Sequence, residues 1–484
     1  MRTCVVATVL AVAVTAGCST VGPKGLTADA PVPAAPETAL ELSPPAPAPQ
    51  PTSSLPPQLL EHAASFTLAD IVDIALRNNP TTRVAYFEAL SAAADLGSTR
   101  SAYYPRIDLS ADISRTQQSA LGGQFDFLQT SYGPTINLSY LVFDLGGRAA
   151  DAEASRLALL SADWSHTAVV QNVILAVQQT YVAYLNAKAQ LDAARANVTQ
   201  AETAHNAATV RHEAGVATIA EVLQAKTALS QAQLDVDRLS GDVLALRGAL
   251  ATAMGLPAST PYDVGSLPEE LPLDLAVKNV EEFIEQARTA RPDLVAARLE
   301  ADRSEARIRS FRAEGLPRLS VGATASRTWF DPARYADYGD SWTARLMLDV
   351  PLFTGFDVKY KTRKAREDAA AAAARADNLE QEVILQVWTS YYGLQTASHL
   401  VATSRDLLAS AEQSERVAMG RYREGVGTIL DLLAAQSALA DARAQEILAR
   451  SQWFVALARL AHDTGVASPT LQTAVSVTEE NDTP

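Results

Sequence analysis

The chain carries the same sequence pattern twice, about 210 residues apart. Residues 211–233 read RHEAGVATIAEVLQAKTALSQAQ and residues 421–443 read RYREGVGTILDLLAAQSALADAR, with ten of 23 positions identical. Further upstream, Asn79-Pro80 corresponds to Arg291-Pro292 at an offset of 212. This period is far longer than the roughly 20–50 residues of solenoid repeats. The chain is therefore a duplicated half-protein, and each half must form the same kind of structure.

Each half contains two strand-like segments in which apolar and polar residues alternate. The apolar residues of the first segment stand at every second position: Ile107, Leu109, Ala111 and Ile113. This alternation predicts strands with one apolar and one polar face. We expect them at about residues 105–116, 132–143, 317–329 and 341–353. Each is near the 9–11 residues of a tilted membrane strand, but four are too few to close a barrel. The sheet is therefore soluble, or several chains share one barrel, because lipid does not tolerate open sheet edges.

The rest of each half has a helical pattern. Short helices open it, the first from Phe66 to Asn78 and the next from Pro80. Proline-free helices follow from about Gly147 to Arg211 and from about Asp357 to Arg421. A helix of 66 residues is about 100 Å long, at about 1.5 Å per residue. A Gly-Val turn ends each long helix, and a helix of about 36 residues follows. The sequence thus predicts a mainly α chain with its strands at one end of the helices and its Gly-Val turns at the other.

The first 65 residues are typical of a targeting signal and a tether. Residues 1–17 contain one arginine, an apolar run and small residues, as secretory signals do. Thr15-Ala16-Gly17-Cys18 resembles the lipobox of bacterial lipoproteins, so we expect a covalent lipid on Cys18; the alternative is a plain signal with an incidental cysteine. Ser19 replaces the aspartate of inner-membrane retention signals, which implies the outer membrane. The proline-rich residues 18–65 then form a tether.

Composition excludes several classes of function. The formal net charge of −15 argues against a nucleic-acid-binding protein. Cys4 and Cys18 are the only cysteines, which excludes a disulfide scaffold, a zinc ribbon, an iron–sulfur protein and a cysteine nucleophile. The sequence contains no phosphate-binding G-x-x-x-x-G-K-[ST] loop and no nucleophile–base pattern. We therefore expect no enzyme, and no cofactor or metal besides the lipid.

The order of helix, strand pair, long helix, Gly-Val turn and helix, written twice behind a lipobox, resembles the TolC-like outer membrane efflux proteins. More narrowly, it resembles the lipoprotein branch of multidrug efflux systems. The most specific residues are Arg421-Tyr422-x-x-Gly425-Val426-x-Thr428-x-Leu430-Asp431-Leu432-Leu433. The resemblance implies a trimer with a twelve-stranded β-barrel and a twelve-helix α-barrel, anchored in the outer membrane and extending into the periplasm. The expected parts are a first repeat (66–258), a connector (259–278), a second repeat (279–465) and a tail (466–484).

The resemblance also implies a function and partners. The family forms passive exit ducts that export drugs or other toxic compounds with a periplasmic adaptor and an inner-membrane transporter, here expected to be proton-driven. The outer channel of type I protein secretion is an alternative within the same class. A lipid-anchored periplasmic scaffold is a third reading. Two helical hairpins and the lack of a separate β-rich domain argue against it.

Matching motif positions assign roles to residues near the Gly-Val turns. Glu221 and Tyr422 match a polar link that closes the tunnel, and Asp431 matches an acidic position near its entrance. Gly427 stands where the best-known member has an arginine of that link. The expected adaptor-docking residues are Arg211, Gly215, Val216, Arg421, Gly425 and Val426. The alternative is that the two acids only favour helix starts and that the glycines only allow the helices to reverse.

Overall fold

The computed structural model describes residues 66–120, 125–265, 271, 279–333 and 336–466. The expected signal, the lipidation site at Cys18, the tether and all but the first residue of the expected tail lie outside the described residues, as does most of the connector.

The two repeats contain the same elements in the same order, which confirms the duplicated, mainly α fold. The first repeat comprises α1 (Leu68–Asn78), α2 (Pro80–Arg100), β1 (Arg106–Ala120), β2 (Phe125–Phe143), α3 (Gly147–Glu213) and α4 (Ile219–Ala253). The second comprises α5 (Val280–Ala290), α6 (Pro292–Ala313), β3 (Arg318–Asp331), β4 (Tyr338–Asp349), α7 (Asp357–Arg423) and α8 (Ile429–Asp463). No helix of these described residues is long and apolar enough to cross a membrane.

The strands differ from the expected segments at their ends. β1 continues to Ala120, although its alternation stops near Arg115, because it stays paired with β2 as far as Phe125. β4 begins at Tyr338 and stops at Asp349, short of the expected residue 353. Pro351 follows shortly and has no N–H to donate to a ladder. Pairing between strands, more than alternation along one strand, sets these boundaries.

Local signals account for the helix ends. Thr67 begins α1 with a capping box to Asp70, and Thr428 begins α8 in the same way with Asp431. Gly255 and Gly465 follow the ends of α4 and α8 with φ of +75° and +79°. This left-handed conformation favours glycine.

The chain forms two compact units. One contains residues 88–163 and 296–376, including the whole sheet. The other contains residues 66–87, 164–295 and 377–466, including both Gly-Val turns. The main core of the second unit includes these fully buried side chains: Phe66, Ile71, Val177, Leu250, Met254 and Trp453.

The sheet is antiparallel, with the strand order β1-β2-β3-β4. Its register places apolar residues in one row across the strands and polar residues in the next row. One row across the strands is apolar and comprises Leu109, Ile136, Ala325 and Trp342. The adjacent row is polar and comprises Ser110, Thr135, Ser326 and Ser341. Adjacent residues of a strand point to opposite faces, so the sheet has one apolar and one polar face, as the alternation predicts.

Candidate functional sites in the sheet and at the Gly-Val turns

The apolar face of the sheet is exposed to solvent in the single chain. Trp342 is 80% exposed, and Ile107, Leu109 and Leu346 are also exposed. A surface of this kind marks a site that another molecule or a membrane covers. The polar face instead carries hydroxyl pairs such as Ser326 with Ser341, whose oxygen atoms lie 2.8 Å apart.

Aromatic side chains lie near both ends of the paired stretch of β2 and β3. At one end Tyr132 of β2 stacks on Trp329 of β3, with ring centroids 5.9 Å apart. At the other end the register shifts between Leu141 and Phe143, and Phe143 lies opposite Leu319. Phe143 lies eleven positions after Tyr132 along the strand. If the strand tilts by about 45° in a barrel, this corresponds to about 26 Å along the barrel axis. Membrane barrels have an apolar band of about 25 Å between two aromatic girdles, so the dimensions fit a bilayer.

Both edges of the sheet are open. Among the described residues, β1 pairs only with β2 and β4 only with β3. Each edge therefore presents unpaired backbone N–H and C=O groups that can pair with another strand.

At the Gly-Val turns, Tyr422 joins the two repeats. It lies in the last turn of α7 and is fully buried. Its hydroxyl donates to Oε2 of Glu221 over 3.3 Å, and Oε1 of Glu221 accepts from the Thr218 N–H over 3.2 Å. Small and aliphatic residues surround the tyrosine: Ala204, Ala208, Ala225, Ile429 and Leu432. The structure thus brings together two of the three predicted gate residues.

Arg211 belongs to the same contact. Its Nη1 donates to the Tyr422 carbonyl over 3.0 Å, and its guanidinium lies 5.0 Å from the centroid of the tyrosine ring. Burial raises the pKa of the Tyr422 hydroxyl, and the charge of Glu221 raises it further, while Arg211 lowers it. The hydroxyl therefore stays protonated at neutral pH and can donate its hydrogen bond. We name the contacts among Tyr422, Glu221 and Arg211 the turn link.

Asp431 occupies the position in the second repeat that Glu221 occupies in the first. Its carboxylate accepts from the Thr428 N–H over 3.3 Å, which caps α8. Hydrogen bonds with Thr428 hold the pKa of Asp431 below its usual range. This capping geometry accounts for the residue locally, and its role at a tunnel entrance stays a prediction. At Gly427 a Cβ atom would lie 3.0 Å from that of Arg421, so an arginine would not fit without a shift.

The remaining predicted docking residues lie at the surface of the turns. Val216 and Val426 are exposed apolar side chains, and Gly215 and Gly425 precede them with φ of +74° and +78°. Arg421 donates from Nη2 to the Val426 carbonyl over 3.3 Å. Their docking role stays a prediction. Arg211 differs from them because its guanidinium lies against Tyr422, a placement that its position in the motif did not indicate.

No group of three or more His, Cys, Asp or Glu side chains within the described ranges could hold a metal ion. The candidate sites consist of hydrogen bonds and exposed apolar side chains.

Comparison with known proteins identifies relatives of the whole fold. A family model described as "Outer membrane efflux protein" matches residues 71–256 and 283–466. The alkaline protease secretion protein AprF of Pseudomonas aeruginosa is 26% identical over 420 residues, 84% of this chain and 86% of AprF. The toluene efflux pump outer membrane protein TtgF of Pseudomonas putida is 26% identical over 328 residues, 66% of each chain.

The solved structure of the outer-membrane channel OprN has a similar fold. Its TM-score with this chain is 0.75 at 19% sequence identity, and the match covers 83% of this chain and 90% of OprN. The helices and the strand pairs thus form a known architecture.

Proposed function

Because the chain belongs to the outer membrane efflux protein family, we propose that it is the passive exit duct of a tripartite efflux pump. Family membership identifies an outer membrane channel protein and not an enzyme. The proposed cargo is small molecules such as drugs or other toxic compounds. The proposed partners are a periplasmic adaptor and a proton-driven inner-membrane transporter.

The observation that carries the proposal is the two-faced sheet with open edges. An exposed apolar face suits lipid, but unpaired edges are not tolerated there. If β1 of one copy pairs with β4 of the next, three copies close a twelve-stranded barrel with apolar residues outside and polar residues inside. We therefore propose a homotrimer. A covalent lipid on Cys18 would add a second attachment to the membrane.

The turn link is the proposed periplasmic gate. A carboxylate that accepts a hydrogen bond contributes about 1.5–3 kcal/mol. Such a contact can be broken by a docking partner without unfolding the helices. Asp431 is the proposed acidic residue at the entrance. The proposed adaptor surface consists of Arg211, which also belongs to the turn link, and of Gly215, Val216, Arg421, Gly425 and Val426.

Two relatives support different cargoes. TtgF is named for toluene efflux, whereas AprF is named for alkaline protease secretion. The family description favours efflux, so small-molecule export is the first candidate and type I secretion the second. A strain without the protein separates them: we expect higher susceptibility to toxic compounds with an unchanged set of secreted proteins. Loss of a secreted protein at unchanged susceptibility would favour secretion instead.

Planar-bilayer conductance tests the duct and its gate. We expect the wild-type trimer to form a small, rarely open channel and Tyr422→Ala to widen it, because the substitution removes the link to Glu221. Tyr422→Phe keeps the packing and removes only the hydroxyl, so it should also raise the conductance above that of the wild type. Equal conductance in all three would remove Tyr422 from the gate. A folded trimer that never conducts would contradict the duct itself.

A further inference from the structure

A layer of polar side chains on α3, α7 and α8 joins the two repeats, farther along these helices than the turn link. Arg443 of α8 donates from Nη1 to Oδ1 of Asn197 over 2.7 Å and to Oε1 of Gln200 over 3.1 Å, both on α3. Gln436, two turns away on α8, donates to the Gln200 carbonyl over 3.4 Å and to Glu415 of α7 over 3.5 Å. We name Asn197, Gln200, Glu415, Gln436 and Arg443 the polar layer. It ties together three helices that belong to both repeats.

The segment between the polar layer and the turns is held differently. There α3 presents Ala204 and Ala208, which are fully buried against Tyr422, Ile429 and Leu432. Apolar contacts are not directional, so helices can shift along them more easily than along hydrogen bonds. The turn link supplies the directional contacts in this segment.

The polar layer occurs at only one of two equivalent places in the duplicated sequence. At the offset of 210, Arg443 corresponds to Gln233, Asn197 to Leu407 and Gln200 to Ser410. Leu407 can neither accept nor donate a hydrogen bond through its side chain. The contact between α3 and α8 therefore includes an arginine with hydrogen-bond acceptors. The equivalent residues of α7 and α4 cannot form this contact. Polar residues within helix packing commonly fix register at a cost in stability.

We propose that the polar layer is the fulcrum of the gate: when the turn link breaks, the helices move only between the layer and the turns. This proposal rests on the proposed function. From Gln200 to the end of α3 at Glu213 is about 20 Å. The next hydrogen bond between α3 and α8, farther from the turns, joins Ser451 to Asn186 over 3.1 Å. Without the layer, the moving segment would extend from Asn186 to Glu213, about 40 Å.

Conductance of combined variants tests the fulcrum. Arg443→Met/Gln436→Met removes the hydrogen bonds of the layer and keeps side chains of similar volume. In the Tyr422→Ala background we expect it to raise the single-channel conductance by about twofold, because at the same tilt a moving segment of twice the length displaces the turns about twice as far. Without Tyr422→Ala it should leave the conductance at the wild-type level, since the turn link is intact.

A matched pair on the same helix controls for general loosening. Arg450 pairs with Glu446 within α8 at 3.1 Å, and Gln445 is exposed. Arg450→Met/Gln445→Met should leave the Tyr422→Ala channel unchanged. Arg443→Lys keeps a charge but reaches a single acceptor, so its effect should be intermediate. Size-exclusion chromatography establishes that each variant is a trimer, and Asn197→Ala/Gln200→Ala breaks the same layer from α3 if the first pair does not fold.

The outcomes separate the fulcrum from the duct. No added conductance in the combined variant would overturn the fulcrum and leave gate and duct intact. A channel opened by the layer variant alone would also overturn it, because the layer would then be a latch. Tyr422→Ala without effect would contradict the gate and the fulcrum together. A folded trimer that never conducts would contradict the proposed function.

Discussion

Tyr422 and His212 occupy the same position in the two repeats, and their surroundings differ completely. Tyr422 is fully buried, whereas His212 is exposed and hydrogen-bonds locally to the Ala217 carbonyl. Ile429 is 3% exposed and its counterpart Ile219 is 56% exposed. The second repeat's residues are buried against the first repeat of the same chain. Within the single chain, the equivalent residues His212 and Ile219 of the first repeat are exposed.

The largest expected effect is the difference between Tyr422→Ala and His212→Ala in the free energy of unfolding. Removing a buried aromatic side chain costs about 3–5 kcal/mol of unfolding free energy, because a cavity remains. Removing an exposed side chain with a local hydrogen bond changes it by about 0.5 kcal/mol or less. Chemical unfolding followed by circular dichroism measures both. An equally large loss for His212→Ala would show that a neighbouring copy buries His212 as deeply as Tyr422 is buried.

A second prediction concerns Asp163 of α3, whose counterpart in the second repeat is Ala373. Asp163 is 6% exposed, and burial raises its pKa to about 7. The folded state then holds a proton that the unfolded chain releases near pH 4. The contribution to stability is complete below pH 4, falls as the pH rises and is lost by about pH 7. The expected loss is about 4 kcal/mol.

The measurement for Asp163 is the melting temperature from pH 4 to pH 8. Wild type should melt at a lower temperature as the pH rises through this range. Asp163→Asn cannot ionise and should have a markedly flatter profile, with the higher stability of the two at pH 8. A variant profile as steep as that of wild type would assign the pH dependence to other groups.

The smallest expected effects on stability come from Gly255 and Gly465, which are equivalent positions with the same left-handed backbone conformation in both repeats. A Cβ atom at Gly465 would lie 2.8 Å from the carbonyl carbon of Ala290, and one at Gly255 would lie 2.7 Å from that of Asn78. Gly465→Ala and Gly255→Ala add this clash to a left-handed φ, so each should cost about 2–3 kcal/mol.

At the turn, Gly215 has a similar φ but open space around it, and Gly215→Ala should cost about 1 kcal/mol. Thermal unfolding ranks the three substitutions. A Gly215→Ala loss as large as the others would mean that a neighbouring copy fills that space.

The sequence predicted the duplicated order, the two-faced strands and the ends of the long helices to within a few residues. These features depend on local patterns, such as alternation and the glycines of the turns. Strand lengths were less accurate because the partner strand decides where β1 ends. Arg211 and Arg421 are equivalent arginines of the two repeats. The sequence alone therefore did not indicate that Arg211 lies against the buried Tyr422. Arg443 gave no signal at all, since its role depends on Asn197 and Gln200 of the other repeat.

Crosslinking between copies is the most direct test of the comparison between the repeats. Asn186 and Ser451 are in contact within the chain, and their counterparts Thr396 and Gly241 are both exposed. We therefore place Thr396 of one copy beside Gly241 of the next. Cys4 and Cys18 are the only native cysteines, so single-cysteine variants define the background.

Oxidation of Thr396→Cys/Gly241→Cys in the membrane should yield covalent dimers and trimers in a denaturing gel. Oxidation of Asn186→Cys/Ser451→Cys should yield crosslinked monomers. If Thr396→Cys/Gly241→Cys yields only monomers while the matched pair crosslinks, the equivalent packing of α7 and α4 does not join neighbouring copies, and the account of a shared duct is contradicted.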